Sequence, residues 1–163
     1  FDAFLKIDGL DGESTDDKHK NWIEILSYSH GVSQTSAGSS SSGGGRSSGR
    51  CDHADFSVVK TLDKASPKLN LFCCNGTHIK EVTVQLCRAG KEKVKYMEYK
   101  MSDVLVTSVR PGGSSQGGEA LPLEEVSFNY GKIDWVYTAT DHATGKPAGD
   151  VKTSWDVMSN KGQ

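Results

Sequence analysis

Residues 22–34 read WIEILSYSHGVSQ, and the order of side chains in this stretch decides the fold class. From residue 25 onward, small or polar side chains alternate with larger ones. This is the period of an extended strand, whose successive side chains point to opposite faces. The stretch therefore predicts one long strand. One predicted face carries Leu26, Tyr28, His30 and Val32, and the other carries Ile25, Ser27, Ser29 and Gly31.

Shorter stretches with the same period lie on both sides of this strand, separated by turn residues. They predict strands over residues 4–7, 56–61, 78–88, 94–109, 123–137 and 151–157. Many short strands divided by turn signals are typical of all-β domains. Within residues 94–109 the alternation slips near Asp103, which predicts a bulge or a bend at that point.

One short helix is predicted to follow the third strand. Ser66 is a suitable N-cap, Pro67 occupies the first helical position and Gly76 follows the C-terminus. Leu69, Phe72 and Cys73 form the apolar stripe of this helix. The sequence therefore predicts a mainly β fold, a small antiparallel β-barrel or two-sheet sandwich with one short flanking α-helix.

Length and charge restrict the class of protein. A chain of 163 residues predicts a single domain over residues 1–163. A net charge of −2 without clustered lysine and arginine argues against a nucleic-acid partner. The longest apolar run, residues 71–74, is too short for a membrane span. Residues 1–6 contain no basic segment followed by an apolar core, so we expect no cleavable signal peptide.

Two loops have a biased composition. Of the 16 residues in 35–50, 12 are Ser or Gly, and the only charged ones are Arg46 and Arg50. Residues 111–118 form a second flexible loop. A Ser/Gly-rich chain is flexible when free. An extended β-arm formed by residues 35–50 is the alternative, and the sequence leaves both open.

The sequence contains no recognisable catalytic or cofactor-binding motif. Gly-x-Ser-x-Gly occurs at residues 45–49 and 113–117, but neither site lies between a strand and a helix, as a nucleophile elbow must. The cysteines and histidines lack the paired spacing of a structural zinc site. We therefore expect no metal, no cofactor and no enzyme activity. Cys73 and Cys74 are adjacent, which disfavours a disulfide framework, so the four cysteines are expected to be reduced and mostly buried.

The small polar face of residues 22–34 has two interpretations. Ser27 and Ser29 on the second strand, like Thr83 and Gln85 on a later strand, are small and polar but uncharged. Such a face suits a wall that borders other subunits or an aqueous channel. Plain exposure to solvent is the other interpretation.

Eight segments of the chain have a recognisable sequence. They are residues 4–9 (FLKIDG), 12–14 (GES), 23–34 (IEILSYSHGVSQ), 56–60 (FSVVK), 63–67 (DKASP), 76–78 (GTH), 104–108 (VLVTS) and 124–131 (EEVSFNYG). In these segments, which occur in family order and cover nearly the whole chain, the sequence resembles the haemolysin-coregulated protein (Hcp) family of bacterial type VI secretion. The chain departs from the family in its Cys-rich helix end and in the composition of residues 35–50.

The resemblance implies a structural role. Family members look like a small β-barrel with a flanking helix that assembles into homo-hexameric rings. The rings stack into the inner tube of the secretion machine, work with its sheath and spike components, carry effector proteins in the lumen and are exported. The resemblance thus implies that the protein is in the bacterial cytoplasm before firing and is then secreted or delivered into target cells. It further implies that Ser27 and Ser29 face the lumen. The extended reach of residues 35–50 and the charges of Arg46 and Arg50 predict that this segment contacts the next ring, with a passive linker as the alternative.

A monomeric ligand- or carbohydrate-binding β-barrel module is the alternative function. Trp22, Tyr28, Trp135 and Trp155 are the aromatic side chains that could supply stacking faces to a sugar. Native mass distinguishes the alternatives, since a ring has about six times the mass of one chain.

Overall fold

The computed structural model describes residues 1–37, 47–118 and 121–163. Within these residues the chain forms thirteen strands and one helix. In chain order they are β1 (Asp2–Ile7), β2 (Ile23–Ile25), β3 (Ser27–Ser29), β4 (Val32–Ser33), β5 (Ser36–Ala37), β6 (Ser47–Ser48), β7 (Asp52–His53), β8 (Phe56–Thr61), α1 (Ser66–Asn75), β9 (Ile79–Cys87), β10 (Lys95–Gly112), β11 (Leu123–Thr140), β12 (Pro147–Asp156) and β13 (Lys161–Gly162). The predicted mainly β fold with one short helix is confirmed.

Nine of the strands form one antiparallel sheet. Its main path runs β13-β12-β11-β10-β9-β1-β2, and β8 pairs with both β11 and β3. The sheet curls around the core because β2 pairs with β1 at one end while β3 pairs with β8 at the other. Over the described residues the hydrogen-bonded ladder does not close into a barrel, since residues 23–29 change partner midway.

The change of partner corrects the prediction of one long strand over residues 22–34. The backbone N–H of Leu26 donates to the carbonyl of Val59 on β8, at 2.7 Å. Ile25 is buried, but the Leu26 side chain is 60% exposed and Ser27 is exposed as well. Two successive outward side chains shift the alternation by one residue, as a bulge does. Leu26 therefore does not share a face with Tyr28, as predicted, and Ile25 does not share one with Ser27.

The core lies between the curled sheet and α1. Strands β10 and β11 are long enough to contribute to it along most of their length, and both pair with further strands on each side. Phe56 and Phe128 are directly paired across β8 and β11 and are both completely buried. Other fully buried members are Leu5, Val58, Val82, Val84, Met101 and Val126.

The predicted slip near Asp103 is confirmed. Asp103 has a left-handed φ of 52°, and the buried side chains on either side of it, Met101 and Val104, are three residues apart. The opposite residue is Gly131, where an added Cβ would lie 3.1 Å from Asp103 Oδ2. A glycine at position 131 thus allows the two backbones to approach closely at the bend.

The helix ends as predicted but begins differently. Gly76 is in the left-handed conformation, with φ 67°, and donates its N–H to the carbonyl of Phe72. Ala65 rather than Ser66 is the N-cap residue, and Ser66 is the first residue of α1. The prediction of Ser66 as N-cap is therefore wrong. The Ser66 hydroxyl instead donates to Glu124 on β11, at 2.8 Å.

A buried ion pair fastens the start of α1 to the sheet. Lys60 and Glu124 are opposite each other in the β8–β11 register, both side chains are fully buried, and the Lys60 ammonium contacts the Glu124 carboxylate. Asp63 Oδ1 lies 3.0 Å from Lys60 Nζ, and the Ser66 hydroxyl is within 3.3 Å of it. Buried charges are tolerated when they are paired and hydrogen-bonded. Both charges are paired here, with Glu124 Oε1 as the bonded oxygen, while Glu124 Oε2 has no hydrogen-bond partner among the described residues.

Removing one partner of this pair should destabilise the protein strongly. Glu124→Ala leaves Lys60 buried without its main partner, so we expect a loss of about 3 kcal/mol in the free energy of unfolding. The double variant Lys60→Met/Glu124→Leu removes both charges and should lose less. Urea unfolding at fixed protein concentration measures this.

Glu125→Ala is the matched control, because Glu125 is the next residue on β11 and is exposed. It should change stability by less than about 0.5 kcal/mol. Equal effects of Glu124→Ala and Glu125→Ala would contradict the assigned role of the buried pair.

Candidate functional site

A row of hydroxyl groups crosses three adjacent strands on the outer side of the sheet. Ser29 on β3 is opposite Ser57 on β8, and Ser57 is opposite Ser127 on β11. The hydroxyl oxygens of Ser57 and Ser127 are 2.8 Å apart. Ser27 and Ser29 are exposed, whereas Tyr28 between them packs against the core. The structure thus places both predicted serines on one solvent-facing surface.

Asp55 extends this surface toward β10. Its carboxylate accepts hydrogen bonds from the Thr107 hydroxyl at 2.8 Å and from the Asn129 amide at 3.2 Å. Thr107 also donates to the carbonyl of Ser127, at 3.2 Å. We call the surface formed by Ser27, Ser29, Ser57, Ser127, Thr107, Asp55 and Asn129 the hydroxyl face. It offers many neutral hydrogen-bonding groups and one carboxylate that already has partners.

The sequence pattern did not identify five of these residues. Ser57, Ser127, Thr107, Asp55 and Asn129 come from three separate segments, and only the strand register brings them beside Ser29. The signal that the sequence does contain is the alternation in the 56–61 and 123–130 strands, which puts Ser57 and Thr61 on one face with Val59, and Ser127 and Asn129 on one face with Glu125. That signal shows a polar face but not which strands share it.

The described part of the Ser/Gly-rich segment is extended. Strand β5 pairs with β6 within the segment, and β4 pairs with β7 just outside it. The choice between a flexible loop and an extended arm concerns residues 38–46, which lie outside the described residues. Arg50 is exposed, and its Nη2 donates to the carbonyl of Val157 in the same chain, at 2.7 Å. Arg46 lies outside the described residues.

A second polar cluster, under residues 11–22, superficially resembles a catalytic triad. His19 Nδ1 is 2.6 Å from Asp16 Oδ2, and its Nε2 is 4.0 Å from the sulfur of Cys87. The imidazole stacks on Phe4 with centroids 4.0 Å apart, and Nε2 is also 2.8 Å from Gln85 Oε1. The cluster could not be predicted from the sequence, because Asp16 and His19 are far along the chain from Gln85 and Cys87.

The cluster is not suited to nucleophilic chemistry. Cys87 is completely buried, and burial together with the charge of Asp16 raises the pKa of its thiol. A reactive cysteine needs a lowered pKa and access to solvent. Gln85 also contacts the nitrogen that would have to accept a proton from the thiol. The arrangement instead anchors residues 11–22 over β1 and β9.

The four cysteines are all free, and their exposure differs from the prediction. Cys87 is buried, Cys51 and Cys73 are half-buried, and Cys74 is exposed. The expectation of mostly buried thiols is therefore wrong. No group of three or more metal-binding side chains occurs in the described part of the chain. Among the described residues, no helix has the length and apolar character needed to cross a bilayer.

Fold and surfaces together define a mainly β protein whose candidate functional surface is a polar sheet face. A family of this class, described as "Type VI secretion system effector, Hcp", matches residues 4–137. The chain belongs to the Hcp family of type VI secretion, as its sequence resemblance implied.

Individual relatives resemble the chain over its whole length. Protein hcp1 of Pseudomonas aeruginosa is 36% identical over 160 residues, which cover 98% of this chain and 96% of that protein. A solved structure of a type six secretion system protein is 32% identical, with a TM-score of 0.92, and covers 100% of this chain and 99% of that chain. Hcp1 from Salmonella typhimurium is 31% identical, with a TM-score of 0.78 over 99% of this chain and 98% of that chain.

The Asp16–His19 contact should make stability depend on pH in the acidic range. The hydrogen bond from His19, aided by Lys93, holds the pKa of the Asp16 carboxyl below its ordinary value of 3.8, and burial acts in the opposite direction. A lowered carboxyl pKa stabilises the fold above the ordinary value, and this stabilisation is lost as pH falls through the lowered one.

Asp16→Asn removes the titrating group, so the difference in melting temperature between the wild type and this variant should shrink as pH falls below about 4. Asp17→Asn, at an exposed neighbouring position, is the control and should follow the wild type. Thermal unfolding between pH 2.5 and 7 measures both. A difference that stays constant over this range would rule out the proposed contribution of Asp16.

Proposed function

We propose that the protein is the structural subunit of a type VI secretion inner tube. In this proposal six copies form a ring, rings stack into a tube, and the hydroxyl face lines the lumen. The observation that carries the proposal is that face itself: exposed Ser27 and Ser29 continue through Ser57 to the buried Ser127, to which Ser57 is hydrogen-bonded, and the paired Arg110 and Glu125 lie beside this row. Membership of the Hcp family supports the same assignment.

A neutral hydroxyl face suits a passage for folded cargo. Hydroxyl groups both donate and accept hydrogen bonds, so they can contact varied polar protein surfaces. Such contacts exchange readily with water and contribute little net free energy each, about 1 kcal/mol. We therefore infer that effector proteins are retained in the lumen by many weak contacts rather than by one deep pocket.

A ring also needs two different surfaces that fit each other on neighbouring subunits. Tyr137 and Val151 are paired across β11 and β12, and they are 48% and 68% exposed. Exposed apolar side chains that adjoin one another are typical of interaction sites. We assign this end of the β11–β12 pair to the contact between neighbouring subunits within the ring.

The arm, residues 35–50, is proposed to contact the next ring, with Arg46 and Arg50 as its charged donors. The Arg50 guanidinium has further N–H groups beside the one that donates to Val157, so it can also bind a second partner. The Ser/Gly composition of the arm offers little apolar area to bury. Contacts of this kind are weak and reversible, which suits a tube that assembles and later comes apart.

The remaining parts of the proposal follow from family membership. We infer that the protein is exported with its cargo, that sheath and spike components are its other partners, and that it is not an enzyme. The alternative of a carbohydrate-binding module is less well supported. Tyr28, Trp135 and Trp155 pack against the core, so they do not form an open stacking platform for a sugar.

A bulkier side chain on the hydroxyl face should alter cargo binding without disturbing assembly. Ser29→Gln adds bulk at an exposed position whose side chain does not enter the core, so we expect native mass to remain that of a six-subunit ring while effector retention changes. Native mass spectrometry and co-purification of effectors measure the two properties.

Ser115→Gln, in the exposed loop after β10, is the matched control and should leave cargo retention unchanged. A monomeric wild-type mass at micromolar concentration would contradict the ring. Loss of the ring in Ser29→Gln with unchanged cargo binding would place Ser29 in a subunit interface.

Shortening the arm should affect stacking only. Replacing residues 35–50 by a tight Gly-containing turn removes little buried apolar area, so melting temperature and ring mass should be nearly unchanged. End-to-end stacking in negative-stain images and secretion should both fall. A second variant, Arg50→Ala with the arm intact, distinguishes the effect on stacking of the Arg50 charge from the effect of the arm's length. Normal stacking by the shortened variant would show that the arm is only a linker.

A further inference from the structure

His30, at the start of the arm, is enclosed by aromatic rings from three other strands. Its centroid lies 5.3 Å from Phe56 on β8 and 6.0 Å from Tyr99 on β10. On β11, Tyr130 and Trp135 are 5.8 Å and 6.2 Å away. The imidazole therefore occupies the position of a core aromatic residue at the edge of the hydrophobic cluster.

Both ring nitrogens of His30 are buried, and neither has a partner in good hydrogen-bond geometry among the described residues, although the backbone of Ala54 lies near enough to favour the protonated ring. Buried polar atoms in folded proteins nearly always have partners, so two unpaired atoms on one ring are unusual. A neutral imidazole tolerates this position better than an imidazolium, which has two N–H groups and a charge to satisfy.

A second histidine faces the first across the base of the arm. His53 lies on β7 opposite Val32, and its Nδ1 is 2.8 Å from the Tyr130 hydroxyl. Between the two histidines, the N–H of Ala54 donates to the carbonyl of Gly31, at 2.9 Å. His30 and His53 thus flank the place where the chain enters and leaves the arm. We call His30, His53 and Tyr130 the arm root.

The other titratable groups near the two histidines are three tyrosines, Tyr28, Tyr99 and Tyr130, together with Cys51 and one carboxylate, Asp55. Burial raises the pKa of Tyr99 on β10 and of Tyr130 on β11 well above the ordinary value. Tyr28 on β3 contacts the Tyr99 hydroxyl, with the two oxygens 3.4 Å apart. Cys51, just before β7, and Asp55, just before β8, also act on Tyr130.

No carboxylate pairs with either imidazole in residues 1–37, 47–118 and 121–163. Asp55 is bonded to Thr107 and Asn129 on the hydroxyl face instead. A positive charge at the arm root would therefore lack a counter-ion.

The pKa values of the two histidines are shifted in the direction that this burial predicts. Burial lowers the pKa of His30 below its ordinary value of 6.5, the nearby His53 lowers it further, and the backbone of Ala54 acts in the opposite direction. Burial lowers the pKa of His53 as well. Both histidines are thus held in the neutral form when the arm root is packed.

We propose that the arm root is a latch that opens in acid. Neutral His30 and His53 keep the described base of the arm, residues 30–33 and 51–54, packed against Tyr130 and the aromatic cluster, and protonation of the histidines opens this base. The latch is a property of the folded chain. Only its consequence, weaker ring stacking in acid, rests on the proposed function.

The direction of the pH effect follows from the lowered pKa. The packed state binds protons less tightly than the open state, so packing is fully stable above pH 6.5, the ordinary histidine value. It weakens as pH falls from there through the lowered pKa. Each unit by which packing lowers the pKa changes the ratio of open to packed root about tenfold once the ring is protonated.

Amide exchange at Ala54 reports on the latch, because that N–H is bonded to Gly31 inside the root. Corrected for the intrinsic rate, its protection in the wild type should fall about tenfold or more between pH 7.5 and 5.0. His30→Phe keeps a ring of similar shape and leaves no polar group unpaired, so it should keep most of its protection at pH 5.0. His142→Asn, at an exposed turn histidine, is the matched control and should respond like the wild type.

A direct titration keeps the test decisive if His30→Phe folds poorly. Histidine NMR signals of the wild type should show that the pKa of His30 is below 6.5. A pKa at or above 6.5 would overturn the latch, because the aromatic rings would then be stabilising the imidazolium. Unchanged Ala54 protection at pH 5.0 would also overturn it, whatever the oligomeric state. A monomeric mass at both pH values would contradict the ring without bearing on the latch.

Discussion

Residues 23–29 must complete two different ladders, and the rest of the sheet is arranged around that requirement. The first half of the segment pairs with β1 and the second half with β8, and Leu26 lies at the change. One short segment therefore links the two ends of the strand path and lets the sheet curl around its core. Because the change adds one residue to the alternation, it also directs Ser27 and Ser29 outward and Tyr28 inward.

The same change explains where sequence reasoning succeeded and where it failed. The strand at residues 56–61 and the bend at Asp103 were predictable, since each depends on a local pattern of side chains. The change of pairing partner at Leu26 could not be predicted, because the local pattern of residues 22–34 does not indicate which strands lie beside them. The prediction of Ser66 as the helix N-cap was wrong for a related reason. Its hydroxyl could bond locally as a cap, but a buried carboxylate that is distant in sequence, Glu124, is its partner.

The candidate surfaces differ in how many of their residues could be predicted from the sequence. Ser27 and Ser29 could be identified from alternation, whereas the Asp55 contacts that extend the face depend on register across β8, β11 and β10. The environment of His30 likewise comes from three other strands. A single imidazole in a strand pattern looks like any half-buried aromatic residue, and only the folded structure shows that both of its nitrogens are buried without a partner in good geometry among the described residues.

The buried pair of Lys60 and Glu124 has a consequence for folding accuracy. The two residues meet only when β8 and β11 are aligned in the native register. A shift of one residue in either strand would turn one charge to the opposite face and leave the other enclosed in the core alone, which is strongly unfavourable. Apolar side chains at these positions would penalise such a shift much less. The pair therefore destabilises misaligned pairings of β8 and β11 relative to the native register while the sheet forms.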